Sequence, residues 1–443
     1  MKKLFGTDGI RGEANSHPMT IDVCAALADA LVYKYCDFTY MKPVIFIGKD
    51  TRISCSIFEH ALAAKFCSLG AHVKLLGIIP TPILAAYVMK YPAHLGIMIS
   101  ASHNVFSDNG IKIFKGNGTK LTDAEEEEIE SIMEGGFKCK NLLGKAVGRS
   151  DLDEDGIKIY CEKIRKTFQI EKAEAKKVKL VVDVANGSLY KIAPEIFEGF
   201  GFNVVFINCT PDGININKSC GAAHPKAISE AVVKCKADLG IAFDGDGDRV
   251  IIADNYGNIL DGDYILAILA ETEGLYNEEV VSTIMANFAF ERHLGSKGVR
   301  LVRTNVGDKY IAEYMLNSEV KIGGEPSGHI IIKDHLPTGD ALFAALKVLE
   351  YSMKSKKSIA DLLRIFKPYP SISRSVKVKD KSIIENRAIQ VAIEDFQAQL
   401  ANEGRLIVRQ SGTEPIIRIY AEGNDKLLME NIVIQLSHLI ENL

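Results

Sequence analysis

The run Asp244-Gly245-Asp246-Gly247-Asp248 sets three carboxylates at alternate positions with glycine between them. Glycine lets the backbone curl, so the three side chains can converge on one centre. Converging carboxylates are tolerable around a cation, and an all-oxygen donor set favours Mg²⁺, Mn²⁺ or Ca²⁺. An EF-hand loop is excluded, because its sixth position is Arg249 rather than glycine and its twelfth is Asn255 rather than glutamate. Ser100-Ala101-Ser102-His103-Asn104 places a hydroxyl beside an imidazole, outside the G-x-S-x-G pattern of hydrolases. Lys112 follows in Gly110-Ile111-Lys112 and can move a proton if its pKa is lowered. Arg409-Gln410-Ser411-Gly412-Thr413-Glu414-Pro415, with Arg418, reads as an anion cradle of hydroxyls, glycine amides and guanidinium forks. Glu325-Pro326-Ser327-Gly328-His329 offers a carboxylate, a hydroxyl and an imidazole suited to sugar hydroxyls or an amine. Gly6-Thr7-Asp8-Gly9-Ile10-Arg11-Gly12 is neither a dinucleotide fingerprint nor a P-loop. Lys49-Asp50-Thr51-Arg52 either braces the structure or positions phosphate.

The elements that must position these residues repeat. Three apolar strand-like runs, Val44 to Ile47, Leu180 to Val182 and Val280 to Ile284, are each followed by a helix-compatible stretch. Each stretch ends at a glycine that opens a second strand, at Gly70, Gly201 and Gly298. A third strand then runs into a chemical loop: Leu95 to Ile99 into the serine loop, Leu239 to Phe243 into the aspartate loop, Val320 to Gly323 into the Glu325 loop. Alternating short strands and helices predict mostly parallel sheets, whose ligands sit beyond the carboxyl ends of the strands. Thr122 is placed to cap a helix carrying the acidic run Glu125 to Glu128. Gly135 to Gly148 reads as a linker, and Pro368-Tyr369-Pro370 as a hinge before a smaller last unit.

The 443 residues carry 53 Lys+Arg and 57 Asp+Glu, so the net charge is 53 − 57 = −4. A weakly acidic chain has no global attraction for nucleic acid or an anionic membrane, so any anion site must be local. No apolar run approaches the ~18 residues of a membrane span. The start, MKKLFGTDGIRG, lacks the apolar core of a signal peptide. Nine scattered cysteines without a C-x-x-C pair predict free thiols in a reducing cytoplasm.

The motifs stand in order from end to end: FGTDGIRG, GKDTRIS, ISASHN with DNGIK, PDGININKSCG, DGDGDR, RTNVGD, GGEPSGH, TGD and RQSGTEPIIR. As a set they resemble the α-D-phosphohexomutase family, and FGTDGIRG and PDGININKSCG resemble its amino-sugar members more than its glucose and mannose members. The resemblance implies an α/β fold of three related mixed-sheet units, plus a smaller C-terminal α+β domain, around a central cleft. The expected domains are 1–149 with the serine loop, 150–252 with the metal loop, 253–367 with the sugar-recognition loop and 368–443 with the phosphate-binding loop. It implies phosphoserine at Ser102, and one Mg²⁺ per subunit held by Ser102, Asp244, Asp246 and Asp248. Arg249, Lys112, His329 and His103 join Ser102 as expected catalytic groups. Arg11, Gly307, Asp308, Glu325, Ser327, Arg409, Ser411, Gly412, Thr413 and Arg418 are the expected substrate contacts. The implied substrate is a small amino-sugar phosphate, with a sugar 1,6-bisphosphate as activator, no nucleic-acid or membrane partner, and a homodimer among the expectations. A glucose or mannose phosphate mutase of the same family is the alternative. A silent sugar-phosphate-binding relative would lack Ser102 or one of the three aspartates, and all four are present. A metal-dependent phosphatase would need a site open to water, whereas a mutase must close over its intermediate.

Overall fold

A computed structural model gives the fold, and it describes all residues except 1–3, 37–41, 92, 154, 276, 401–402 and 411–414. The chain divides into two compact units, Met1–Met285 with Val299–Leu363, and Ala286–Gly298 with Arg364–Leu443.

The first unit holds one strand plan three times. Strand Val44–Lys49 pairs in parallel with His72–Ile78 and with Leu95–Ile99. Lys179–Asp183 does the same with Asn203–Ile207 and Leu239–Phe243, and Glu279–Thr283 with Arg300–Thr304 and Ile322–Gly324. In each copy the third strand then pairs antiparallel with the strand after it: Asp108–Lys115, Val250–Asp254 and Ile330–Ile332. The parallel part agrees with the sequence reading, and the antiparallel return strand is what makes each sheet mixed. The three chemical loops are therefore equivalent connections, each joining the third strand to its antiparallel return.

Leu95–Ile99 and Leu239–Phe243 are buried along their whole length. Flanked by strands on both edges and covered on both faces, they need continuous apolar side chains rather than alternation. The first copy extends into a seven-stranded sheet through Phe5–Gly6, Gly9–Glu13 and Ser150–Leu152. Its core gathers Leu27, Leu31, Phe58, Phe66, Ile97 and Ile111. Helix Asp123–Glu134 starts at a capping box in which Thr122 and Glu125 bond each other's backbone. The same helix buries two carboxylates. Glu126 and Glu130 are buried, and Glu130 Oε1 accepts from the Leu4 and Phe5 amides at 2.8 and 2.7 Å.

The second unit carries a three-stranded antiparallel sheet, Ile416–Gly423 between Ser371–Lys377 and Gly404–Gln410. Helices Arg387–Leu400 and Lys426–Asn442 pack on it over Ile417, Ile419, Met429 and Leu436. Helix Phe288–Ser296 belongs to this unit although its neighbours in sequence are strands of the third sheet. The Pro-Tyr-Pro segment is fastened there: Asn287 Nδ2 donates to the Tyr369 carbonyl, and the Tyr369 amide donates to Asn287 Oδ1, both at 3.0 Å. All nine cysteines are free thiols. Among the described residues no helix is long and apolar enough to cross a membrane.

Candidate active site

Ser102 follows the end of strand Leu95–Ile99, fully buried, with a left-handed backbone at φ 51°. Its Oγ donates to Asp244 Oδ2 at 2.6 Å. Its amide donates to Ser100 Oγ at 2.9 Å, and Ser100 Oγ donates in turn to Asp50 Oδ2 at 2.6 Å. Arg52 pairs with Asp50 at 2.9 Å and spends the rest of its guanidinium on the serine loop. It donates to the carbonyls of Ser102 (3.0 Å), Asn104 (2.8 Å), Asp108 (3.1 Å) and Val105. Of the two readings of Lys49-Asp50-Thr51-Arg52, the geometry supports the brace. A left-handed non-glycine residue is held only where its surroundings over-determine it, and this lattice does so.

Asp244, Asp246 and Asp248 are all buried, and each offers a carboxylate oxygen within 4.8 Å of the others. Burial, with Asp248 and Asp246 beside it, pushes the Asp244 carboxyl well above the usual range. The Asp244 Oδ1 is held by the amides of Asp248 and Arg249, both at 3.1 Å. Lys112 takes Asp246 Oδ2 at 2.8 Å and Asp248 Oδ2 at 2.9 Å, and Thr81 Oγ1 also donates to Asp246 Oδ2, at 2.5 Å. The other oxygens, Asp246 Oδ1 and Asp248 Oδ1, are buried with no hydrogen-bond partner, and Asp248 Oδ1 has only the Arg249 Nε, 4.0 Å away. Buried carboxylate oxygens left bare are costly unless a cation meets them. The donor set therefore fits one hard divalent ion.

The condition for Lys112 to move a proton, a lowered pKa, does not hold among these partners. Burial works against the charge, yet Asp246, Asp248 and Asp8 together hold the ammonium well above its usual value. Lys112 is a fixed cation that orders the triad. Asp8 is the third partner, at 3.0 Å from Lys112 and 2.5 Å from Lys120, and it also pairs with Arg11. Against its burial, Lys112, Lys120 and Arg11 keep Asp8 well below the usual carboxylate range. Lys120 also pairs with Asp308. Arg11 Nη1 donates to the Ala101 carbonyl at 3.2 Å, which ties the N-terminal loop to the serine loop.

His329 is buried, with Nδ1 3.7 Å from Asp248 Oδ2 and Nε2 3.4 Å from Asp308 Oδ2. The Gly339 amide donates to Nε2 at 3.1 Å, which places the proton of the neutral ring on Nδ1, toward Asp248. Burial disfavours the imidazolium, but Asp308 and Asp248 more than offset it and raise the pKa. His103 goes the other way: burial, Arg249 and Arg11 lower it to about 4, so its ring is neutral near pH 7. Arg249 stays charged, since Asp248, Asp244 and Glu325 outweigh its burial. The Asp244–Asp248 loop and the Glu325 loop are strapped together by the bridge Arg249 to His329 and by the Val250 amide on the Gly328 carbonyl at 3.1 Å. Glu325 Oε1 accepts from the Gly307 amide at 3.2 Å, and Ser327 Oγ donates to Glu325 Oε2 at 3.3 Å.

One connected network in the first unit thus joins Ser102, Lys112, the three aspartates, Arg249, His329, Arg11, Asp308, Gly307, Glu325 and Ser327, with His103 beside it. In the second unit Arg409 and Arg418 face each other across adjacent strands. Burial and the neighbouring Arg418 lower the Arg409 pKa. Ser411, Gly412 and Thr413 lie outside the described residues. Sequence reasoning missed Thr81, Lys120 and the role of Asp8. Thr81 left a trace, standing between two prolines at a helix start. Lys120 left none, since its partners are distant in sequence.

Three copies of one mixed-sheet module with a chemical loop at the same place in each, followed by a small α+β domain, is the architecture of the α-D-phosphohexomutases. Family models described as phosphoglucomutase/phosphomannomutase alpha/beta/alpha domains I, II and III match residues 2–138, 158–257 and 261–369. The model of the family's C-terminal domain matches 375–438. A phosphoglucosamine mutase of Paramagnetospirillum magneticum is 42% identical over 436 residues, covering 97% of this chain and 96% of that protein. The phosphoglucosamine mutase of Agrobacterium fabrum is also 42% identical, covering 98% and 96%. Among solved structures, a phosphoglucomutase/phosphomannomutase family protein from Burkholderia thailandensis superposes with a TM-score of 0.81 at 20% identity, covering 100% of this chain and 98% of that one. An Aspergillus fumigatus N-acetylphosphoglucosamine mutase in complex with GlcNAc-6P and magnesium gives 0.64 at 17%, covering 99% and 96%. The chain belongs to the phosphoglucomutase/phosphomannomutase family.

Proposed function

We propose that this enzyme is an intramolecular phosphotransferase that interconverts D-glucosamine 6-phosphate and α-D-glucosamine 1-phosphate, on the route to UDP-N-acetylglucosamine in the cytoplasm. The observation that carries the reading is end-to-end identity of 42% to proteins named phosphoglucosamine mutase.

Ser102 carries the phosphoryl group. Phosphoserine gives its phosphoryl to the free sugar hydroxyl, making a bisphosphate, and the sugar turns so that its other phosphate returns to the Ser102 Oγ. A trace of sugar 1,6-bisphosphate restores serine that has lost its phosphate. The reaction class depends on positioning and on neutralising the three equatorial oxygens. Arg249 and Arg11 supply fixed positive charge at the serine loop. Asp244, Asp246 and Asp248 would hold a Mg²⁺ together with a seryl phosphate oxygen, and that ion would supply Lewis-acid charge beside the transferring group. Lys112 orients two of those carboxylates. His103 and His329 are the candidates for moving the proton. Glu325 and Ser327 bind the sugar with Gly307 and Asp308, and in the second unit Arg409, Arg418 and the 411–413 loop are the residues for binding a phosphate.

The test is ³¹P NMR of the purified enzyme with Mg²⁺, a trace of sugar bisphosphate, and glucosamine, glucose or mannose 6-phosphate. Fast appearance of glucosamine 1-phosphate, with Ser102→Ala inactive but still binding substrate, is the expected result. Faster glucose or mannose conversion moves the substrate to the alternative within the family. Release of inorganic phosphate overturns the mutase reading.

A further inference from the structure

The stretch Pro211 to Gly221 pointed to the amino-sugar branch of the family, yet none of the roles above uses it. Its Asn217 lies in the second module, the serine loop in the first. Asn217 is buried, and its Nδ2 donates to the carbonyls of Ser102 at 2.8 Å and Asn104 at 2.9 Å. The same amide lies against the metal loop. A Cβ placed on Gly245 would meet the Ser102 carbonyl at 2.7 Å and Asn217 Nδ2 at 2.8 Å. Three groups therefore meet at van der Waals limits: the carbonyl of the serine, the amide of Asn217 and the bare Cα of Gly245.

Two further features set Asn217 apart from an ordinary buried amide. Its backbone is left-handed, φ 55°, and Ala185 O fixes it by accepting from its amide at 2.9 Å. Its Oδ1 is buried with no hydrogen-bond partner. Both carbonyls that it holds are already satisfied by Arg52 Nη2, so their hydrogen bonding does not require it. What Asn217 adds is direction: Arg52 holds the serine loop from within its own module, and Asn217 holds it from the module that carries the aspartates.

We infer that Asn217 is a positioning residue for phosphoryl transfer, which locks the Ser102 backbone to the Asp244–Asp248 loop and so fixes the seryl oxygen relative to the triad. The inference rests on the proposed role of Ser102 as phosphoryl carrier. It does not depend on which sugar is the substrate.

Asn217→Gly is the clean deletion, because glycine accepts a positive φ without strain. Asn217→Asp keeps the size and the backbone preference but turns an acceptor toward two carbonyls. Both variants should lose kcat by about 10- to 100-fold, the scale of a displacement near 1 Å at a reacting centre. KM and the melting temperature of the glycine variant should stay close to wild type. Hydrogen–deuterium exchange should accelerate over residues 100–108 and nowhere else. Wild-type kcat in Asn217→Gly, or unchanged exchange over 100–108, overturns the inference. So does a kcat loss matched by a general loss of stability. The exchange experiment needs no sugar, so it judges Asn217 even if the wild-type enzyme turns over none of the three sugar phosphates and the proposed function falls.

Discussion

Replacing Lys112 by methionine shortens the side chain by one atom and removes one charge from a site where three carboxylates depend on it. The Nζ lies 2.8 Å from Asp246, 2.9 Å from Asp248 and 3.0 Å from Asp8, and the side chain is fully buried. Deleting one member of a buried ion cluster leaves the others uncompensated, which costs about 3–5 kcal/mol. Methionine packs well, so little of the loss comes from a cavity. Because the chain forms two units, the loss should fall on the melting of the first and lower it by on the order of 5–10 °C. Calorimetry without added metal measures this, and Mg²⁺ should restore part of it by neutralising the same carboxylates. The sign with pH is also determined. A raised lysine pKa contributes stability that is fully present below the unfolded value of about 10.4 and is lost only as pH rises through the higher folded value. The gap between wild type and Lys112→Met should therefore be flat from pH 6 to 9. A loss under about 1 kcal/mol would refute the reading of Lys112 as keystone of the triad. A gap that shrinks as pH rises from 6 to 9 would mean that Lys112 loses its proton there, as a proton shuttle would.

Mg²⁺ should raise the melting temperature of the wild type, by about 2.7 kcal/mol of stability at a hundredfold excess over its dissociation constant. Asp246→Asn and Asp248→Asn, which change the two carboxylates with bare oxygens, should abolish that shift; a retained shift would place the ion elsewhere. Asp8→Asn should weaken the fold at pH 7 and flatten its acid limb. The depressed Asp8 pKa contributes stability that is present above about pH 3.9 and lost as pH falls toward the folded value, and urea unfolding between pH 3 and 7 reads it. Gly245→Ala should drive a methyl group into the Ser102 carbonyl and cut kcat by at least about tenfold. Normal turnover in that variant would mean that the serine loop moves freely.

Much of the chemistry was legible in the residues. Asp244, Asp246 and Asp248 pointed to a cation because carboxylates converging from alternate positions repel one another unless positive charge meets them. The three-strand plan was readable because fully buried strands leave continuous apolar runs. Lys112 illustrates where local reading stops. A lysine near a serine suggested a proton carrier, and only the fold could bring Asp8, Asp246 and Asp248 to it and raise its pKa instead of lowering it.

What the sequence determined by itself is the inventory: the polar and glycine-rich loops, their order, and the strands that end in them. Those properties depend on neighbours in the chain, whose spacing is set by covalent geometry. The tertiary structure decided the partners. Arg52 on four carbonyls of the serine loop, Asn217 between two modules, Thr81 on Asp246 and Lys120 between Asp8 and Asp308 all join residues that topology brings together. A hydrogen bond or an ion pair depends on distances of a few ångströms in space, and separation along the chain places almost no bound on them.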